Sequence, residues 1–162
     1  MSNREYNQIL KFIQPGIELT GDNYRLLTKH LAECNDSEDA WVCLEVKAIS
    51  NEVAQLLSEW SPHCNCSATL ELSVESLSDE AAEFLSQWGG ASHGSGTLYL
   101  GSLRDISTKG ANFLLKSPVD LYVSLNLLPD NIKEILMQRP VEQDNQLINS
   151  NGDGQVYLEP ME

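Results

Sequence analysis

Leu70-Glu71-Leu72-Ser73-Val74-Glu75-Ser76-Leu77-Ser78-Asp79-Glu80-Ala81-Ala82-Glu83-Phe84-Leu85 changes period partway along its length. From Leu70 to Val74 apolar and polar residues alternate, the period-two signature of a half-buried strand. From Leu77 onward the apolar residues fall at helical spacing. Ser78 stands where a hydroxyl can accept from the unpaired amides of a first helical turn. Asp79 and Glu80 add negative charge at the positive end of the helix dipole. The stretch reads as a strand leading closely into a capped helix.

The helical half of this pattern recurs on both sides. Segments opening at Leu19, Ile49, Leu77, Ile106 and Leu128 share an apolar residue, a helix starter, a polar first turn and an apolar run, with leading residues 30, 28, 29 and 22 positions apart. Thr20, Ser50, Ser78 and Ser107 supply capping hydroxyls, and Pro129 reads as a first helical residue whose missing donor costs nothing. Alternating stretches precede four of the helices: Leu44-Glu45-Val46, Leu70 to Val74, Leu98-Tyr99-Leu100, and Leu121-Tyr122-Val123-Ser124-Leu125. Ahead of the first helix, Ile9, Leu10, Phe12 and Ile13 read as a short helix rather than a strand.

Units of this kind cannot bury their apolar faces alone, so stacking must make the core. The expected fold is α/β, a short repeat-like stack of parallel strand-helix units. The alternative is a compact mixed-sheet α/β domain, because strand order is not fixed by sequence. A single domain over 1–162 is expected, with an N-terminal cap at 1–18, strand-helix repeats at 19–140 and a tail or capping hairpin at 141–162. In that tail Asn151-Gly152-Asp153-Gly154 separates Gln146-Leu147-Ile148-Asn149 from Gln155-Val156-Tyr157-Leu158, a hairpin signal able to hide an open edge.

The quoted stretch resembles the bacterial variant of leucine-rich repeats, in which a short L-x-L strand leads into L-S-D-E-A-A-x-x-L and a helix. The resemblance covers roughly residues 44–137. The segment with Leu44, Val46, Ile49, Ser50 and Glu52 follows it loosely, as does that with Leu98, Leu100, Leu103, Ile106 and Ser107. It implies a leucine-rich-repeat-like stack with partner binding on the strand side, and no catalytic residues.

Charge narrows the partners. The 162 residues carry 24 Asp and Glu against 10 Lys and Arg, a net charge of −14. That field repels nucleic-acid phosphates and anionic membrane surfaces. It suits a basic protein partner, and it also keeps a small protein soluble. With 41% hydrophobic residues the chain can bury a core. It has neither an eighteen-residue apolar run nor a secretory signal pattern, so cytoplasmic residence is expected.

Chemistry-bearing residues form no motif. Cys64 and Cys66 enclose one residue, too few for the usual zinc pairing, with His63, His93, Cys34 and Cys43 the other ligands on offer. Cys43, inside Trp41-Val42-Cys43-Leu44, reads as a small buried hydrophobe. Four glycines between Gly89 and Gly96 precede a strand and lack the lysine of a phosphate loop, and read as a flexible connection. A triad of Cys64, His93 and Asp79 has no local pattern behind it. No metal, no cofactor and no enzymatic activity are expected.

The functional expectation is therefore a non-enzymatic protein-protein interaction module with an acidic surface. One alternative is an acidic chaperone or inhibitor-like protein covering a basic or disordered client, and a small hydrolase is the weaker one. Candidate partner-binding residues are the outward strand positions Glu45, Glu71, Tyr99 and Tyr122, where tyrosine offers large contact area at low entropy cost. Trp60 and Trp88 hold the same place at the ends of their helices, which reads as core packing.

Overall fold

Alternation along the strands decides which way every side chain faces. In the computed structural model, which describes residues 18–19, 27–29, 31–32, 40–63, 67–92, 94–139 and 155–158, the strands are β1 (Glu18–Leu19), β2 (Trp41–Leu44), β3 (Ala48–Ile49), β4 (Ser67–Leu72), β5 (Ser95–Leu100), β6 (Asp120–Ser124) and β7 (Gln155–Leu158). The helices are α1 (Asn51–Glu59), α2 (Asp79–Ser86), α3 (Thr108–Leu115) and α4 (Asp130–Leu136), with a 3-10 turn at Leu125–Leu127 and helical residues at 27–29 and 31–32. Ala68, Leu70 and Leu72 of β4 are buried while Ser67, Thr69 and Glu71 between them are not, and β5 repeats the pattern.

The molecule is an α/β structure on a mixed, mainly parallel sheet. Among the described residues five strands stand in the order β2-β4-β5-β6-β7; the first four are parallel and β7 runs antiparallel on β6. Partners across β2/β4 and β4/β5 are 28 residues apart in sequence, as in Leu44↔Leu72 and Leu70↔Leu98, and those across β5/β6 are 23 apart, as in Leu98↔Leu121. Each crossover passes through one helix and steps to the next strand in the same direction, so crossovers of one hand put the helices on one side. The core lies between that side of the sheet and the helices: Val42, Leu44, Leu70, Leu72, Leu98 and Leu100 from strands meet Val53, Leu57, Ala82, Leu85 and Leu114 from helices. Each such leucine contributes about 1.5–3 kcal/mol over leaving it exposed.

Helix starts follow the serines. Ser50, Ser78 and Ser107 accept from Val53 N, Ala81 N and Gly110 N at 3.3, 3.1 and 3.0 Å. Each such cap is worth about 1 kcal/mol. The caps also link neighbours, since Ser78 Oγ donates to Asn51 Oδ1 at 2.7 Å and Ser107 Oγ donates to Asp79 Oδ1. Asn51 Nδ2 in turn donates to Glu80 Oε2. Pro129 differs from the sequence reading. It is the N-cap itself, with ψ 151°, so the helix opens at Asp130 and no side chain caps it.

Beside the main sheet, β1 and β3 pair in parallel with Leu19 opposite Ile49, and a lone parallel bridge joins Ser76 to Asp105. These contacts tie together the residues just ahead of the helices. The segment ahead of Glu18, the Thr20 cap and the hairpin arm at 146–149 lie outside the described residues. The other proposed arm, Gln155–Leu158, is β7 and occupies the β6 edge.

The glycine-rich connection is tightly built. Gly90, at φ +75°, and Gly96 approach so closely that a Cβ on either would lie 2.7 Å from the other's backbone. Ala91 N donates to Ser95 O at 3.2 Å, while Ser92 N and Ser92 Oγ both donate to Pro62 O, at 3.1 and 3.3 Å. The glycines are there because two backbone stretches cross in contact.

Candidate functional site: the sheet face opposite the helices

Helices cover one face of the parallel strands, and the opposite face carries two rows of side chains in register. One row is Trp41, Thr69, Thr97 and Asp120; the other is Cys43, Glu71, Tyr99 and Tyr122. Cys43 thus lies half-buried on this face instead of in the core, because Val42 and Leu44 take the inward positions on either side of it.

Of the four residues chosen from sequence, the fold brings three together. Glu71, Tyr99 and Tyr122 are lateral neighbours, and the tyrosine rings lie with centroids 4.9 Å apart at a 34° tilt. Glu45 stands apart from them. The strand ends at Leu44, and Cys43 pairs with Glu71, so exposed Glu45 lies past the end of the row. Matching Leu44-Glu45-Val46 to Leu70-Glu71-Leu72 shifts the register by two; the observed match is Val42-Cys43-Leu44.

Among the described residues, two hollows border these rows. The larger, about 590 Å³, is bounded by Ala40, Trp41, Ser67, Thr69, Glu71 and Tyr99. The smaller, about 340 Å³, is bounded by Glu71, Ser73, Tyr99, Gly101, Ser102 and Tyr122. Glu71 and Tyr99 belong to both and form the saddle between them. Trp41, 46% exposed at the rim, escaped the sequence reading because it precedes the alternation that marked the strand.

Two carboxylates, Glu71 and Asp120, stand in these rows. Glu71 has no ion-pair partner among the described residues, whose ion pairs are Lys47–Glu75, Arg104–Glu75 and Lys133–Asp130. At the β6 end of the other row, burial raises the Asp120 carboxyl above its ordinary value, with the Arg139 charge pulling it partly back. Glu75, beyond the end of β4, lies 4.0 Å from Lys47 and 3.9 Å from Arg104, exposed contacts worth about 0–1 kcal/mol each.

Among the described residues no three His, Cys, Asp or Glu side chains gather closely enough to hold a metal ion. His30, Cys34, Cys64, Cys66 and His93 lie outside the described residues. His63 is exposed, its Nδ1 3.2 Å from Ser92 Oγ, and Asp79 serves the helix-cap ladder. No described helix is long and apolar enough to cross a membrane. The fold and site define an α/β protein whose described helices pack on one face of a mixed, mainly parallel sheet. Compared with family models, curated proteins and solved structures, the chain matches none.

Proposed function

We propose that this chain is a non-enzymatic, acidic binding protein whose sheet face opposite the helices covers a basic segment of a protein client. The carrying observation is the Glu71–Tyr99–Tyr122 row, flanked by two hollows on the sheet face opposite the described helices. Aromatic area beside a carboxylate suits a chain bearing lysine or arginine, and the net charge of −14 favours encounter with such a chain. Both readings taken from sequence, interaction module and client-covering chaperone or inhibitor, meet in this proposal, and the acidity favours the second.

The repeat-like, leucine-rich-repeat-like build belongs to the same proposal. It is supported by neighbouring parallel strands in chain order, the 28-residue offsets and the linked serine caps. So does a cytoplasmic setting.

A titration of isotope-labelled protein with capped fifteen-residue lysine-rich and glutamate-rich peptides tests the function. The lysine-rich peptide is expected to shift amide signals of residues 69–73, 97–101 and 120–123, and Tyr99→Ala/Tyr122→Ala is expected to abolish those shifts while remaining folded. Equal responses to the two peptides, or an unchanged response in the folded double variant, would overturn the assignment.

A further inference from the structure

We propose that two copies of this chain pair through the outer edge of α4, with those helices antiparallel about a two-fold axis near Ile132. Among the described residues each helix packs on the next, α1 on α2, α2 on α3 and α3 on α4, and α4 ends the row. That place leaves apolar side chains uncovered. Leu115, eight residues after the Ser107 cap of α3, is 8% exposed, whereas Met137, eight residues after the Pro129 cap of α4, is 46% exposed. At the other end of α4, Leu127, two residues ahead of Pro129, is 40% exposed. Ser76 and Asp105 hold the same place ahead of Ser78 and Ser107, and a parallel bridge joins them to each other.

The edge complements itself. Leu127 and Met137 are centred on Ile132, so a two-fold axis there sets each Leu127 against the partner's Met137. Asp130 and Lys133 straddle nearly the same point, so the axis also sets each Lys133 against the partner's Asp130. Within one copy these two lie 3.3 Å apart, with the Asp130 side chain 95% exposed, and a carboxylate has lone pairs for a second lysine. A parallel arrangement would set lysine on lysine and aspartate on aspartate instead. Each copy carries −14 and repels the other at long range. Pairing is therefore expected at about 0.15 M salt, where the screening length is about 8 Å, and should weaken as salt is lowered.

Sedimentation equilibrium of the full chain at about 0.15 M salt is the test. Wild type is expected to dimerise, and Leu127→Ser/Met137→Ser to raise the dissociation constant about tenfold or more. Lys133→Asp and Asp130→Lys each set like charges across the axis, and each alone is expected to weaken the dimer about tenfold. Mixed together, the two variants face each other with opposite charges, and the mixture is expected to recover wild-type affinity within about threefold. Circular dichroism of each variant separates dissociation from unfolding. Wild type that stays monomeric up to about 1 mM would overturn the inference. So would a dimer that the folded variants leave unchanged, or a charge-reversed pair that fails to recover on mixing.

Discussion

The indole Nε1 of Trp88 donates to the carbonyl oxygen of Trp60 at 2.8 Å, and the two rings lie 6.0 Å apart with planes within 5°. Both rings are buried, and each follows its helix by the same local step: Trp60 N donates to Leu57 O, and Trp88 N to Leu85 O. Ser117 N on Leu114 O and Arg139 N on Leu136 O continue the series. Arg139 also repeats what Trp88 does, because its Nη1 donates to Ser117 O at 3.1 Å. At two places in this column, Trp88 and Arg139, a side chain binds the helix end of the segment before it, whereas the buried Ser117 hydroxyl makes no such bond.

Trp88 therefore carries both packing and a buried hydrogen bond. Trp88→Phe removes the donor and leaves the Trp60 carbonyl short of a partner, at an expected cost of about 1–3 kcal/mol. Trp88→Ala opens a large cavity and is expected to cost about 3–5 kcal/mol. Urea unfolding of both variants measures this; a phenylalanine variant as stable as wild type would mean that the bond contributes nothing.

Arg139 is buried, and among the described residues it binds five carbonyl oxygens. It reaches Leu114, Leu115 and Ser117 at the end of α3, Val119 at the entry to β6, and Leu158 in β7, at 2.6 to 3.4 Å. A cation suits that place because the helix dipole is negative there. Burial pushes its pKa down to about 10, with Asp120 pulling it back up, so it stays charged at neutral pH. Arg139→Met is expected to destabilise by about 3–5 kcal/mol, since the carbonyls stay buried without their donor. Arg139→Lys should recover only part, because one ammonium cannot span all five oxygens. Because Leu158 is among these acceptors, hydrogen exchange at β7 amides should accelerate in both variants. Unchanged β7 protection would mean that Arg139 does not hold that strand.

Gly96→Ala tests the crossing of backbones at the start of β5. Its register partner Ala68 carries a methyl group without difficulty on β4. At Gly96 the same methyl would lie 2.7 Å from Gly90 Cα and 2.9 Å from Val119 Cγ1. Relief requires moving backbone, so a loss of about 1–3 kcal/mol is expected, measured by thermal unfolding. A neutral outcome would show that the 89–96 connection yields easily.

Much of this was legible because local physics is written locally. Ser50, Ser78 and Ser107 announce helix starts through their own side chains, and each is the cap. Burial of Trp60 and Trp88 follows from their equal placement. Strand limits were less legible, since Ser67-Ala68-Thr69 and Ser95-Gly96-Thr97 extend their strands with residues too small to mark alternation. That blurred register displaced Glu45 from the row and hid Trp41 and Cys43. Arg139 gave no local signal at all: the five described carbonyls it binds lie 19 to 25 residues away in sequence, and only the fold gathers them.

Asp120 links the sheet face opposite the helices to this buried cation, and its titration has a definite sign. Burial raises its folded-state pKa, and the Arg139 charge only partly opposes that. Protonated Asp120 is thus the form the fold prefers. Its contribution to stability is complete below the ordinary aspartate value of about 3.9 and is lost as the pH rises through the raised folded value. Asp120→Asn, which mimics the protonated form, should match wild type near about pH 3 and exceed it at neutral pH. Urea midpoints of the two proteins at both pH values supply the comparison. An asparagine variant that is less stable at neutral pH would reverse the balance, showing that attraction to Arg139 outweighs the cost of burying the carboxylate.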